Sequence, residues 1–95
     1  MKFFEYIFGS NGSYSSDMKS LSREQIHLFV SQYQIQTLSI HEEKAIEDAL
    51  DHARQQGKIS LRKIDSTLQS LVSTRTISIN DKQGVFAVFR QYFES

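Results

Sequence analysis

"IQTLSIHEEKAIEDALDHAR" at residues 35–54 and "TRTISINDKQGVFAVFRQYF" at residues 74–93 share one layout: a short β-branched run, a serine, then a helical period. A shift of 39 places Thr37, Leu38, Ser39 and Ile40 on Thr76, Ile77, Ser78 and Ile79. It also carries Ala45, Ile46, Ala49 and Leu50 onto Gly84, Val85, Val88 and Phe89. A shift of 38 sets Leu21, Ser22, Ile26, Val30 and Tyr33 on Ile59, Ser60, Ile64, Leu68 and Leu71. The body therefore reads as two helix–connector–helix units, 21–56 and 59–94. Two explanations stand: an internal duplication, or a coincidence among Ser-capped amphipathic helices. A lone hairpin leaves its apolar face in water, whereas two can cover each other.

Each of the four expected helices has its own start signal. Ser22-x-x-Gln25 and Ser39-x-x-Glu42 fit capping boxes, and Leu21 with Ile26 fits the hydrophobic staple across the first. Ile26, Phe29, Val30 and Tyr33 recur at i, i+3, i+4 and i+7. Ile46, Ala49, Leu50 and Ala53 line the second helix, which Gly57 is expected to end as a left-handed C′ residue. Ser60 opens the third, with Leu61, Ile64, Leu68, Leu71 and Val72 on its stripe. The fourth begins after Ile77, capped by Ser78 or Asn80. It carries Val85, Val88, Phe89 and Tyr92, widened by Phe86 and Phe93, so it should be contacted on more than one side. Thr37–Ile40 and Thr76–Ile79 are expected to run extended and to pair. The fold class is all-α, a four-helix domain of two hairpins with short extended connectors.

The chain has 95 residues, a one-domain length. Lys plus Arg and Asp plus Glu both number 11, so no bulk charge drives binding to nucleic acid or anionic membrane. Absence of cysteine excludes disulfides, thiol catalysis and cysteine-ligated metal, and favours a reducing cytoplasm. "MKFFEYIFGS" is interrupted by Glu5 and followed by no cleavage signal, so it is not read as a signal peptide. No apolar run reaches transmembrane length. Residues 1–20 read as an apolar-aromatic leader followed by a flexible Gly/Ser/Asn-rich linker over 9–20, and residues 21–95 as a single helical domain.

Paired helical hairpins also describe an EF-hand pair, so calcium is the first chemistry to test. The loop needs oxygen side chains at positions 1, 3 and 5, Gly at 6 and Glu at 12. With Leu38 at position 8, these fall on Ser31, Tyr33, Ile35, Gln36 and Glu42. The second unit supplies Ser70, Val72, Thr74, Arg75 and Asp81. With Gly57 at position 6 they are His52, Arg54, Gln56 and Lys63. None of these sets suits calcium. His41 and His52 lie about 16 Å apart along one helix, too far to share a metal. Asp48 and His52 suit an i, i+4 pair, and His27 sits beside the first apolar stripe. The acidic residues Glu42, Glu43, Glu47, Asp48 and Asp51 fall mainly on a solvated face, without the burial that raises a catalytic carboxyl. No phosphate loop or nucleophile motif is present, so no catalytic residue, cofactor or metal is assigned.

The candidate contact residues are the apolar-aromatic leader residues Phe3, Phe4, Tyr6, Ile7 and Phe8, and a basic group comprising Arg54, Lys58, Arg62, Lys63 and Arg75. A tethered aromatic cluster left in water would be a sticky patch. Its expected fate is to fold back on the Phe86/Phe89/Phe93 helix, with exchange between copies second and a membrane surface third. The functional expectation is a small cytoplasmic, non-catalytic interaction or regulatory protein, acting on an unidentified protein partner or as a homodimer. The alternative is weak nucleic-acid binding, because "GKISLRKIDSTLQSLVSTRTISI" superficially resembles a winged-helix segment, although net charge is nil and Asp65 intrudes.

Overall fold

Serine hydroxyls set the helix starts. Ser22 and Ser39 accept from the backbone N–H groups of Gln25 and Glu42 at 3.0 and 3.2 Å. The Gln25 and Glu42 side chains accept in return from the cap N–H groups at 2.9 and 2.8 Å. Ser60 accepts from the Lys63 N–H at 3.0 Å. Ser78, not Asn80, caps the last helix: its hydroxyl accepts from the Asp81 N–H at 3.0 Å, and the Asp81 carboxylate accepts from the Ser78 N–H at 3.1 Å. Each such cap is worth about 1 kcal/mol.

The structure, a computed structural model, describes residues 14–31 and 38–94. Tyr33, Thr37 and the five leader residues Phe3, Phe4, Tyr6, Ile7 and Phe8 lie outside the described residues. The elements are β1 (Met18–Ser20), α1 (Arg23–Val30), α2 (Ile40–Ala53), β2 (Lys58–Ser60), α3 (Leu61–Ser73) and α4 (Ile79–Glu94). The protein is mostly helical, with one small two-stranded sheet.

That sheet is not where the β-branched connectors would put it. β1 pairs antiparallel with β2, with Lys19 opposite Ile59. Among the described residues, Leu38–Ile40 and Thr76–Ile79 form no strand. Ser39 and Ser78 are caps, Ile40 and Ile79 already belong to helices, and the Thr76 N–H is used by the end of α3. Gly57 also has a different role. α2 stops at Ala53, and Gln56 (φ 55) and Gly57 (φ 79) form a tight turn. Gln55 and Lys58 close it by exchanging backbone hydrogen bonds of 2.8 and 3.1 Å. Both central residues are left-handed, as a type I′ turn requires. The left-handed helix ending falls instead to Arg75 (φ 63). Its N–H donates to Val72 O at 2.9 Å and the Thr76 N–H to Leu71 O at 2.8 Å, a Schellman closure with Arg where Gly is usual.

The helices close a ring: α1 packs on α2, α2 on α3, α3 on α4, and α4 back on α1. Their stripes meet in one interior, where Ile26, Val30, Ile46, Leu50, Ile64, Leu68, Val85 and Phe89 are fully buried. Leu21 and Ile59, flanking and within the strands, are buried equally. Phe29 stands edge-on to Phe89, with ring centroids 5.4 Å apart.

α4 also meets the N-terminal segment. Tyr14 packs edge-on against Phe86 at 4.8 Å. The Tyr92 hydroxyl donates to Ser20 O at 3.1 Å, and Lys19 Nζ donates to Tyr92 O at 2.9 Å, a cation at a helix C-terminus. Residues 14–20, expected as part of a flexible linker, are thereby built onto the body.

Truncating Phe89 to Ala should cost about 3–5 kcal/mol in urea unfolding, whereas Leu28→Ala should change stability by no more than about 0.5 kcal/mol. Leu28 is 62% exposed. Arg75→Gly should stabilise the protein by about 1 kcal/mol in the same assay, because it relieves a left-handed backbone at a non-glycine residue.

Candidate functional site

The acidic residues of α2 do not form a free pole. Arg23 of α1 reaches Asp48 Oδ1 at 2.9 Å, Asp51 Oδ2 at 3.2 Å and Glu47 Oε1 at 3.8 Å. Glu47 is buried and lies 2.8 Å from His27 Nδ1. Lys44 adds a 3.4 Å contact to Asp48, and Arg54 pairs with Asp51. Asp48 thus faces Arg23 and Lys44 rather than His52. The hydrogen bond from Arg23 holds the Asp48 carboxyl below the usual carboxylate range, with Lys44 adding to it and partial desolvation opposing. The Arg54 hydrogen bond does the same for Asp51, reinforced by Arg23. The Arg23 and His27 contacts zip α1 to α2.

A second charged contact sits deeper. Asp65 lies on the apolar stripe of α3, four residues after Leu61 and three before Leu68, and is 3% exposed. Lys82 of α4 meets it at 3.0 Å and donates to Gln69 Oε1 at 2.8 Å. The sequence signal was Asp65 itself, a carboxylate in register with leucines; its partner, in another helix, had no signal.

The five basic candidates separate into three places. Arg54 turns inward, with a side chain 21% exposed. Its Nη1 donates to Leu21 O at 2.9 Å, and its Nε is buried without an acceptor among the described residues. Lys58 in β2, and Arg62 and Lys63 in the first turn of α3, are exposed. There the Arg62 N–H and Nε hold Ser15 O and Tyr14 O at 3.1 and 3.2 Å. Lys58 and Lys63 make no ion pair among the described residues. Arg75 is exposed at the opposite end of α3, about 18 Å further along its axis.

The strand pairing selects one of the three calcium frames. Among the described residues, the frame with Gly57 at position 6 is the one that runs helix–loop–strand–helix, and it carries Arg54 and Lys63 where calcium needs oxygen ligands. Among the described residues, no three His, Asp or Glu side chains converge as a metal-binding group. Residues 74–78 turn directly into α4 and do not form the extended stretch a wing requires.

A groove of about 430 Å³ runs between the N-terminal segment and the last turns of α4. Tyr14, Met18 and Lys19 line one side, Arg90 and Phe93 the other, and Leu61 contributes from α3. Met18 is 46% exposed. Of the three phenylalanines expected to receive the leader, Phe89 is fully buried and Phe86 is covered, leaving Phe93 with accessible surface.

Comparison with known proteins finds no matching family model, curated sequence or solved structure. Among the described residues, no helix is long and apolar enough to cross a membrane.

Two stability predictions follow from the charged contacts. Lys82→Met should cost about 3–5 kcal/mol by leaving a buried carboxylate unpaired, and adding Asp65→Leu should restore part of that loss. Asp48 and Asp51 have depressed carboxyls, so their contribution is complete above the unfolded value of 3.8 and is lost as pH falls below it. Urea unfolding across that range should show a steeper acid loss in the wild type than in Arg23→Gln.

Proposed function

We propose that the chain is a small, non-catalytic interaction module that binds an acidic protein surface through Lys58, Arg62 and Lys63. The observation that carries this reading is the asymmetry of charge use. The α2 carboxylates Glu47, Asp48 and Asp51 are engaged by Arg23, His27, Lys44 and Arg54. Lys58 and Lys63 stand exposed beside Arg62 without a carboxylate partner among the described residues. Exposed cations such as Lys58 and Lys63 on a neutral protein can steer an anionic partner and contribute to specificity.

A non-catalytic role is supported by the uses of the buried polar groups. Glu47 faces Arg23 and His27, Asp65 faces Lys82, and Asp81 and Ser60 cap helices. We read the body as two copies of one hairpin, 21–56 and 59–94. The matched caps Ser22/Ser60 and Ser39/Ser78 and the paired strands support that origin. Arg75 is an independent contact candidate, since an exposed cation at a backbone position that favours glycine is a local cost compatible with a binding role.

The test is a low-salt anisotropy titration against a poly-glutamate peptide and a DNA duplex. Lys58→Glu with Lys63→Glu should weaken peptide binding by about tenfold or more, equivalent to about 1.4 kcal/mol. Preference for the duplex, with a steep salt dependence, would replace this reading with the nucleic-acid alternative.

A further inference from the structure

The groove beside α4 is lined by Tyr14, and an apolar segment precedes Tyr14 in the sequence. Five of the six residues at 3–8 are aromatic or aliphatic: Phe3, Phe4, Tyr6, Ile7 and Phe8. Only the five residues from Gly9 to Ser13 separate Phe8 from Tyr14, which is itself a wall of the groove. The chain path at Tyr14 is fixed. Its ring packs on Phe86, Arg90 lies 5.6 Å from its centroid, and its carbonyl accepts from Arg62. The segment preceding Tyr14 therefore enters the described structure at the groove.

We propose that residues 3–8 of the same chain occupy this groove as an internal ligand, their rings against Met18, Leu61 and Phe93. The cations lining the groove suit an aromatic occupant. Lys19 Nζ lies 4.5 Å from the Tyr92 centroid and 5.8 Å from that of Phe93, so the cations here already sit over aromatic faces.

The tether favours the same chain over a second copy. A Gly/Ser-rich link of this length has a root-mean-square span of about 13 Å. It holds the leader at an effective concentration on the order of millimolar, roughly a thousandfold above that of a second copy present at micromolar concentration. A filled groove leaves the leader aromatics unavailable to other proteins. The inference is independent of binding through Lys58 and Lys63, and either can fail alone.

The test uses the full chain in an isotope-filtered nuclear Overhauser experiment on a mixture of labelled and unlabelled protein. The expected result is contacts within one chain between ring protons of residues 3–8 and the methyls of Met18 and Leu61. Phe3→Ser with Phe4→Ser and Phe8→Ser should abolish them and shift those methyls, leaving Ile46 unmoved. Contacts only between labelled and unlabelled copies would overturn the proposal in favour of exchange. Absence of contacts, with Met18 and Leu61 unshifted in the variant, would overturn it outright.

Discussion

Burial of one shared apolar interior is the constraint on which the rest of this structure depends. A chain of 95 residues without cysteine has no covalent staple to limit its unfolded state. Each fully buried aliphatic or phenyl side chain contributes about 1.5–3 kcal/mol, and these contributions must exceed the entropy of ordering the backbone. No single helix presents enough such surface. The ring from α1 to α4 brings Ile26, Ile46, Leu68 and Phe89 together, so each helix supplies a wall for the others.

Polar contacts then orient the pieces. Arg23 locks α1 to α2 through Asp48 and Asp51, and Lys82 with Asp65 locks α4 to α3. Tyr92 and Lys19 fasten β1 to the end of α4. These contacts are weak sources of net stability, because each charge must first be desolvated. Their effect is to disfavour slipped packings that leave a carboxylate unpaired. With the α2 carboxylates Glu47, Asp48 and Asp51 engaged in this way, Lys58 and Lys63 are exposed cations without a carboxylate partner among the described residues.

Helix starts and buried stripes were legible because both are local. A serine followed three residues later by Gln25 or Glu42 supplies its own hydrogen bonds, and a 3.6-residue period states which side faces inward. Ile26, Leu50, Ile64 and Phe89 were readable for that reason. The sheet was not, because Met18–Ser20 is a strand only in the presence of Lys58–Ser60, and nothing in "MKS" announces it. Gly57 was readable as left-handed but not as a turn residue, since the pairing of Gln55 with Lys58 decides between the two roles. The separation of the basic residues is equally invisible in the sequence. Arg54 and Lys58 are near neighbours in sequence, yet one guanidinium turns in to Leu21 while the ammonium stays in water.

Whether the two hairpins truly share one interior can be measured by native-state amide hydrogen exchange. The amides of Val30, Leu50, Leu68 and Phe89 belong to four different helices and should converge on a single opening free energy, that of global unfolding. Opening of α1 and α2 at a free energy lower by about 2 kcal/mol or more than that of α3 and α4 would contradict the account, since the two halves would then be separate cooperative units.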